Sequence, residues 1–556
     1  MANQCKPIHF GNPEAVNVDN GDKNSAPYIG CFHKSLPHDE FGEVDPAAFT
    51  ALRDAGTNRA TAASQYETVP KGNPNSDRFV SPVAGLGFDR LVPPFCSLTM
   101  GPAPKVTGPS TAAEMVELYW MALLRDVSFS EFRNDARIAE AAAEINAAFQ
   151  TAKASNAADD PGKLTDRDVP AQVIPDNVFR CGLPGESMGP AVSQFFLRNV
   201  YFGAQCIDQR VVPYKEGQDY LTDYESWLHA QNVAKDSSGR GYGTARPNRL
   251  AFCRPILTMR DLATFVNQDA LHQAYFNAAL ILLNEGYAVQ SGNPYPSMRQ
   301  GGFVTFGGPH LLTLVSEIAA RAMKVVWHQK WQVHLRLRPE AYGGLVQMQL
   351  IGRHGKTPNY GLDNIVLASK ARDQVFKKYG SNFLPMAFPS GSPNHPAYGA
   401  GHATVAGACV TVLKAWFDGT QKIKDAVDLI PAQDYYPIDF SAYRPIAMQG
   451  LQPWLGEGLT VEGELNKLAC NVALGRSMGG VHWRSDNTRS LRLGEEIAIV
   501  MLARELQDLV DQSAAMVSPE FRFNNFDGNE VVITTSGVTV GGVSSYQDFL
   551  NHLTCT

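Results

Sequence analysis

Eight long helical hydrophobic patterns constrain this chain's fold more than any other feature. They cover residues 111–133, 136–154, 268–285, 311–337, 361–378, 402–417, 462–478 and 486–512, each with apolar side chains recurring at helical spacing. Between them run loops rich in Gly, Pro, Asn, Asp and Ser, at 153–178, 232–249, 286–302, 384–401 and 430–460. Several exceed the usual connection length, and long ordered loops in a compact protein often carry function. The tail changes character. Its stretch FRFNNFDGNEVVITTSGVTVGG has short β-branched runs around Asp-Gly and Ser-Gly, which predicts a hairpin at about 521–541. No internal repeat is visible. The expected fold is mainly α with a small C-terminal β-hairpin.

With 556 residues the chain is long enough for one to three domains. We expect a single domain over 1–556. Within it we expect an N-terminal helical half (1–300), an active-site half (301–515) and the β appendage (516–556). A hydrophobic share of 44% and a charged share of 19% fit an ordinary globular protein. The net charge of −7 argues against general binding to nucleic acid or an anionic membrane. No run reaches the roughly 18 apolar residues of a spanning helix, and the first residues, MANQCKPIHFGNPEAVNVDN, have no apolar stretch of leader type. The expectation is a soluble protein, either intracellular or secreted with its leader removed.

The nine cysteines include no Cys-x-x-Cys pair, which argues against a structural zinc site. Cys409 and Cys470 sit in apolar helical patterns and are expected as core thiols. Cysteines nearer the ends are available for disulfides, but the sequence does not pair them, and the odd count leaves at least one unpaired or intermolecular. No motif supports a structural calcium or magnesium ion.

Three segments carry chemistry. In VVWHQKWQVHLRLRPEAYGG (325–344), Pro339 is expected to stop the helix, and Lys330 and Arg338 project about 80° apart on one side of it. Read alone, this is equally a solvated basic helix end. Arg336 reads as a surface or interface charge, and His328 and His334 fall on other faces as structural residues. In PSGSPNHPAYGAGHATVAGACVTVLKAWF (389–417) a Pro/Gly-rich loop enters a helix at Gly401-His402. Free N–H groups at a helix start bind anions, and a glycine allows close approach. His402 is placed to exchange a proton. The bland reading is a loop-to-helix junction with a surface histidine.

In NKLACNVALGRSMGGVHWRSDNTRSLRLGEE (466–496), Arg476 and His482 would point about 120° apart on one straight helix. Gly479-Gly480 resolves this by ending the helix and turning the chain back, and Ser485 is expected to cap the next helix from 486. Asp486, four residues after His482, can accept its Nδ1–H and leave Nε2 free as nucleophile or metal ligand. A capping Asp beside an unrelated histidine is the alternative. Taken together, the segments supply three fixed cations, two imidazoles and a helix N-terminus. Together they predict a pocket for a tetrahedral oxyanion.

The order Lys…Arg-Pro, Gly-His, Arg-x5-His-x3-Asp resembles the signature shared by vanadium-dependent haloperoxidases and the acid phosphatases of the type-2 phosphatidic acid phosphatase group. Most of the chain resembles the algal-type vanadium bromoperoxidases, in FHKSLPHDEFGEVD (32–45), VELYWMALLRDVSF (116–129), WHQKWQVH (327–334), EGELNKLACNVALGR (462–476) and LGEEIAI (493–499). The resemblance implies two four-helix bundles and a homodimer or larger homo-oligomer. It implies vanadate(V) as cofactor, acting as a Lewis acid without changing oxidation state. The reaction it implies uses hydrogen peroxide to oxidise halide, bromide foremost, to hypohalous acid that halogenates electron-rich organic compounds.

By the same resemblance His482 binds vanadium, with Asp486 behind it. Lys330, Arg338, Arg476 and the Gly401 N–H hold vanadate oxygens, and Lys330 also polarises bound peroxide. His402 is the acid–base group, and Trp327 and His395 lie where halide selectivity is set. One position departs from the pattern. The family usually reads Pro-Ser-Gly-His, and here Ala400 precedes Gly401, removing a hydroxyl donor to the anion. Two other readings remain: an acid phosphatase with His482 as nucleophile, and an inactive oxyanion-binding or scaffold member.

Overall fold

The structure is a computed structural model that describes residues 18–87, 89, 92, 98–244, 247–250, 253–430, 451–508, 519–535 and 537–542. It is mainly helical, with fourteen α-helices among those residues. The first half holds α1 (Pro46–Asp54), α2 (Ala62–Glu67), α3 (Pro109–Leu123), α4 (Ala136–Ala154), α5 (Tyr224–Val233), α6 (Met259–Gln268) and α7 (Gln273–Asn284). The second holds α8 (Gly308–His328), α9 (Pro339–Leu350), α10 (Asn364–Leu367), α11 (Lys370–Tyr379), α12 (Gly401–Trp416), α13 (Val461–Met478) and α14 (Arg484–Asp508).

The central element is α12. Its sequence, GHATVAGACVTVLKAW, is apolar or small on every side, and such a helix must be enclosed. It packs against α8, α13 and α14. Gly407 of α12 and Gly494 of α14 set the closest approach, because a Cβ on either would run into the other helix's backbone. A second cluster gathers α4, α10 and α11 around α3. Among the described residues no helix is long and apolar enough to cross a membrane.

The tail is a three-stranded antiparallel sheet rather than a two-stranded hairpin: β5 (Glu520–Asn524), β6 (Glu530–Thr534) and β7 (Gly537–Val540), in that order. Phe521, Phe523, Val531, Ile533 and Val538 face inward at alternating positions. Two short antiparallel pairs precede it, β1 (Val200–Phe202) with β2 (Gln205–Ile207) and β3 (Val427–Leu429) with β4 (Leu451–Pro453). The sheet is tied to the bundle by Lys414, whose Nζ donates to the Asn524 carbonyl at 2.7 Å and pairs with Glu495 at 3.3 Å.

Five helices lie outside the expected patterns: α1, α2, α5, α6 and α9. Of these α6 carries a readable start, a capping box between Thr258 and Asp261. The expected helix 311–337 ends at His328 and passes into a π-helical turn, Gln329–His334. Pro339 does not stop a helix; it opens α9 as its first residue, where its missing N–H is harmless. The pattern at 361–378 divides into α10 and α11 because Asp363 and Ser369 each cap a new start. Ser485 is not the cap expected for the last helix. It lies inside the first turn of α14, where the Glu114 carboxylate accepts its N–H at 2.6 Å. Cys409 and Cys470 are buried, as expected. Cys5, Cys96 and Cys555 lie outside the described residues.

Candidate oxyanion site

Five pieces of chain converge at the N-terminus of α12. The π-helical turn after α8 delivers Lys330. Leu335 then leaves the helix in a left-handed conformation (φ 48°), donating its N–H to the Lys330 carbonyl at 3.1 Å. The next residues are held extended against 30–32, through bonds between Phe32 N–H and Leu335 O (2.7 Å) and between Leu337 N–H and Gly30 O (3.0 Å). Alternation along an extended segment sends Arg336 and Arg338 to one side, toward His482 and Asp486. Convergence of Lys330 and Arg338 therefore comes from this break in the helix, not from one helix face.

The α13–α14 junction follows from its two glycines. Gly480 takes φ +84°, and Val481 and Gly480 return their N–H groups to Arg476 O and Ser477 O at 3.1 and 2.8 Å. This leaves Arg476 at the end of α13 and swings His482 back. The His482 Nδ1 lies 2.8 Å from Asp486 Oδ2, which also accepts the Trp483 N–H at 3.0 Å. With Nδ1 as the donor, Nε2 carries the lone pair and accepts a hydrogen bond from Arg338 Nη1 at 3.1 Å.

The cations are buried: Lys330 is 0% exposed, Arg338 1% and Arg476 3%. Lys330 Nζ donates to the carbonyls of Pro396 and Ala397 at 2.8 and 3.0 Å. Arg338 donates to the carbonyls of His395 (2.9 Å) and Val481 (2.6 Å) and to His395 Nδ1 (2.9 Å). Arg476 Nη1 donates to Val266 O at 2.7 Å, while its buried Nε has no hydrogen-bond partner among the described residues.

Burial, then Arg338 and Arg476, push the Lys330 ammonium well below its ordinary range, with Asp486 opposing. Burial first, opposed by Asp486 and reinforced by Arg476, brings the Arg338 guanidinium down to about 9. The imidazoles of His482 and His395 are held well below the usual range by burial and these same cations. A cluster that disfavours its own charge in this way is relieved by a multivalent anion.

Ala400 is the N-cap of α12 and Gly401 its first residue, so the Gly401 N–H has no partner within the helix. A Cβ on Gly401 would press on Trp327 Cζ3 at 3.2 Å and Met323 Sδ at 3.4 Å, so glycine leaves this approach open. Ala400 provides no side-chain cap, and its N–H goes to Ser490 Oγ at 2.8 Å. Trp327 and His395 pack with ring centroids 4.9 Å apart, and the Trp327 indole N–H is bound by Val80 O at 3.0 Å. His402 is the most accessible of the group, with a side chain 19% exposed, and its Nε2 lies 3.0 Å from Asp269 Oδ1.

The structure thus gathers Lys330, Arg338, Ala400, Gly401, His402, Arg476, His482, Asp486, Trp327 and His395 around one helix end. It adds residues that sequence reading passes over. Asp269, the C-cap of α6, is remote in sequence from His402 and carries no local signal. Arg336 is not the surface charge expected. It is 4% exposed, with Nη1 2.8 Å from Asp486 Oδ1 and Nη2 2.7 Å from Glu114 Oε2. The alternation Leu335-Arg336-Leu337-Arg338 was the available signal, a period of two inside a stretch read as helix.

Fold and site together define a helical-bundle protein built around a buried cluster of cations and imidazoles. The family model described as "VCPO second helical-bundle domain" matches residues 310–512, the stretch that carries nearly all of this site. The chain is 34% identical to a vanadium-dependent bromoperoxidase of Corallina pilulifera, over 94% of this chain and 93% of that protein. It is 33% identical to one of Ascophyllum nodosum, over 96% and 91%. A homohexameric solved structure, the second vanadate-dependent bromoperoxidase (AnII) from Ascophyllum nodosum, superposes with a TM-score of 0.79 at 28% identity, covering 95% of this chain and 88% of that one. The chain belongs to the algal-type vanadium-dependent bromoperoxidase family.

Proposed function

We propose that this chain is a vanadate-dependent haloperoxidase. It oxidises halide, bromide foremost, with hydrogen peroxide to hypohalous acid, which then halogenates electron-rich organic compounds. The observation that carries this reading is the buried cation cluster, in which Arg476 Nε lacks a partner among the described residues and Arg338 donates to the Nε2 lone pair of His482. Such a cluster fits a multiply charged oxyanion and a metal-ligating imidazole together.

In this reading Lys330, Arg338, Arg476 and the Gly401 N–H hold the vanadate oxygens, and His482 Nε2 is the ligand to vanadium. Bound vanadate supplies a Lewis acid that activates peroxide toward halide. Asp486 keeps the His482 proton on Nδ1, and Arg336 holds the Asp486 carboxylate in place. His402 takes a proton from incoming peroxide and passes it toward solvent, oriented by Asp269. The Lys330 ammonium draws electron density from the reacting oxygen. Trp327 and His395 form the wall that selects the halide. Ala400 removes one hydroxyl donor and leaves the other donors to hold the anion.

The packing of α8, α13 and α14 around α12, and of α4, α10 and α11 around α3, supports an organisation in two four-helix bundles. We keep the division into halves 1–300 and 301–515 with an appendage at 516–556, and assembly as a homodimer or larger homo-oligomer, as parts of the proposal. The test is a comparison of two assays on protein dialysed against EDTA and reloaded with vanadate. Bromination of a phenolic dye with peroxide is expected, dependent on vanadate. Vanadate-independent hydrolysis of nitrophenyl phosphate without bromination would favour the phosphatase reading, and neither activity the inactive binder.

A further inference from the structure

A second cluster, unused by the oxyanion reading, sits on α13. Cys181, Glu186 and Cys470 are buried, and one ligand atom from each lies within 4.8 Å of the others. Cys181 and Glu186 belong to one tight loop, Cys-Gly-Leu-Pro-Gly-Glu, which turns through Gly182 (φ +82°) and Gly185 (φ +72°). Gly185 lies so close to Gly463 of α13 that an added Cβ would meet its Cα at 2.9 Å. Two glycines in contact let the loop press onto the helix, and Cys470 is about two turns further along.

The backbone of this loop is aimed at the cluster. The Cys181 N–H lies 3.2 Å from both Cys470 Sγ and Glu186 Oε1, and the Leu183 N–H is 2.9 Å from Glu186 Oε2. Amides directed at sulfur and carboxylate favour the deprotonated forms, which are the forms that ligate metal.

We propose that Cys181, Glu186 and Cys470 form a structural site for a thiophilic divalent cation of the zinc class. Two thiolates and a carboxylate are suitable ligands for tetrahedral zinc, with a fourth position left for water. A cleft of about 280 Å³ is lined by Phe179, Arg180 and Asn471, close sequence neighbours of the two cysteines. On loading, two S–H protons leave to solvent and two sulfur–metal bonds form; nothing is oxidised. The ion fastens the 181–186 loop to the helix that presents Arg476. The missing Cys-x-x-Cys spacing does not bear on this site, because the two sulfur ligands are 289 residues apart.

The test titrates Co(II) into reduced, chelator-stripped full-length protein, then competes with Zn(II). The expected result is about one Co(II) per chain, with sulfur-to-metal charge-transfer absorption in the near ultraviolet that Zn(II) abolishes. Cys181→Ser and Cys470→Ser lose that absorption, and Glu186→Gln shifts the Zn(II) competition to weaker binding. The wild-type titration decides even where a variant fails to fold. No charge-transfer band in the wild type, a band that survives in the double cysteine variant, or a Cys181–Cys470 disulfide in peptide maps of the native protein would each overturn the proposal.

Discussion

Arg336 and Asp486 form a buried ion pair: Nη1 donates to Oδ1 at 2.8 Å, while Oδ2 of the same carboxylate lies 2.8 Å from His482 Nδ1. Asp486 thus links a fixed cation to the imidazole proposed to hold vanadium. Arg336→Met would leave Glu114 and Asp486 buried with their shared cation gone. The expected cost is about 3–5 kcal/mol of stability, with vanadate affinity weaker by roughly 10–100-fold. Arg336→Lys keeps the charge but loses the planar fork that bridges two carboxylates. Its stability should stay near wild type while vanadate affinity falls roughly tenfold. Denaturant titration and vanadate reconstitution separate the two effects, and unchanged affinity in the lysine variant would assign Arg336 to folding alone.

Ala400→Ser should tighten vanadate binding. A hydrogen bond to a charged partner contributes roughly 1.5–3 kcal/mol, or about tenfold or more in affinity. Ala400 is also a helix N-cap without a side-chain hydrogen bond. A serine that turned to cap α12 instead would add about 0.5–2 kcal/mol of stability and leave affinity unchanged. Paired measurements of dissociation constant and Tm tell the two uses of the hydroxyl apart.

The partly exposed His402, bound to Asp269, is the proposed proton carrier. His402→Ala should lower kcat by on the order of a hundredfold. Asp269→Asn retains a hydrogen-bond acceptor but not the charge, and should lower kcat roughly tenfold. Steady-state kinetics with peroxide and bromide varied separately check both, and equal losses in vanadate affinity would mean that the pair only holds the anion.

Away from the site, burial first and the neighbouring Glu495 second push the Glu496 carboxyl up to about 7. Between the ordinary carboxylate value and about 7, the folded chain keeps a proton that the unfolded chain has released. The stability contributed here therefore declines as pH rises through that window. Glu496→Gln should match wild type at about pH 4 and gain in Tm over it toward pH 8. A pH series of thermal melts reads this, and a constant Tm difference would show that Glu496 does not titrate in that range.

The parts of the site that are legible in the sequence are those with local geometry. Gly479-Gly480 imposes the turn that returns His482 beside Arg476, and four residues along the chain place Asp486 near Nδ1. A glycine at the start of an apolar pattern marks the start of α12, the end proposed to bind the anion. What stays hidden depends on long-range packing. The left-handed Leu335 breaks the helix, and pairing with residues 30–32 then turns Arg336 inward. Nothing near Asp269 in sequence points to His402. The tail gains its third strand because Gly537–Val540 pairs back along Glu530–Thr534, an antiparallel register that only the folded chain shows.

Vanadate titration into the stripped chain, read as bromide-dependent consumption of peroxide, tests the central claim most directly. The account predicts activity that rises from nothing, saturates near one vanadate per chain, and is absent in His482→Ala at every vanadate concentration. Activity that is independent of vanadate, or equal with and without the His482 imidazole, would contradict it.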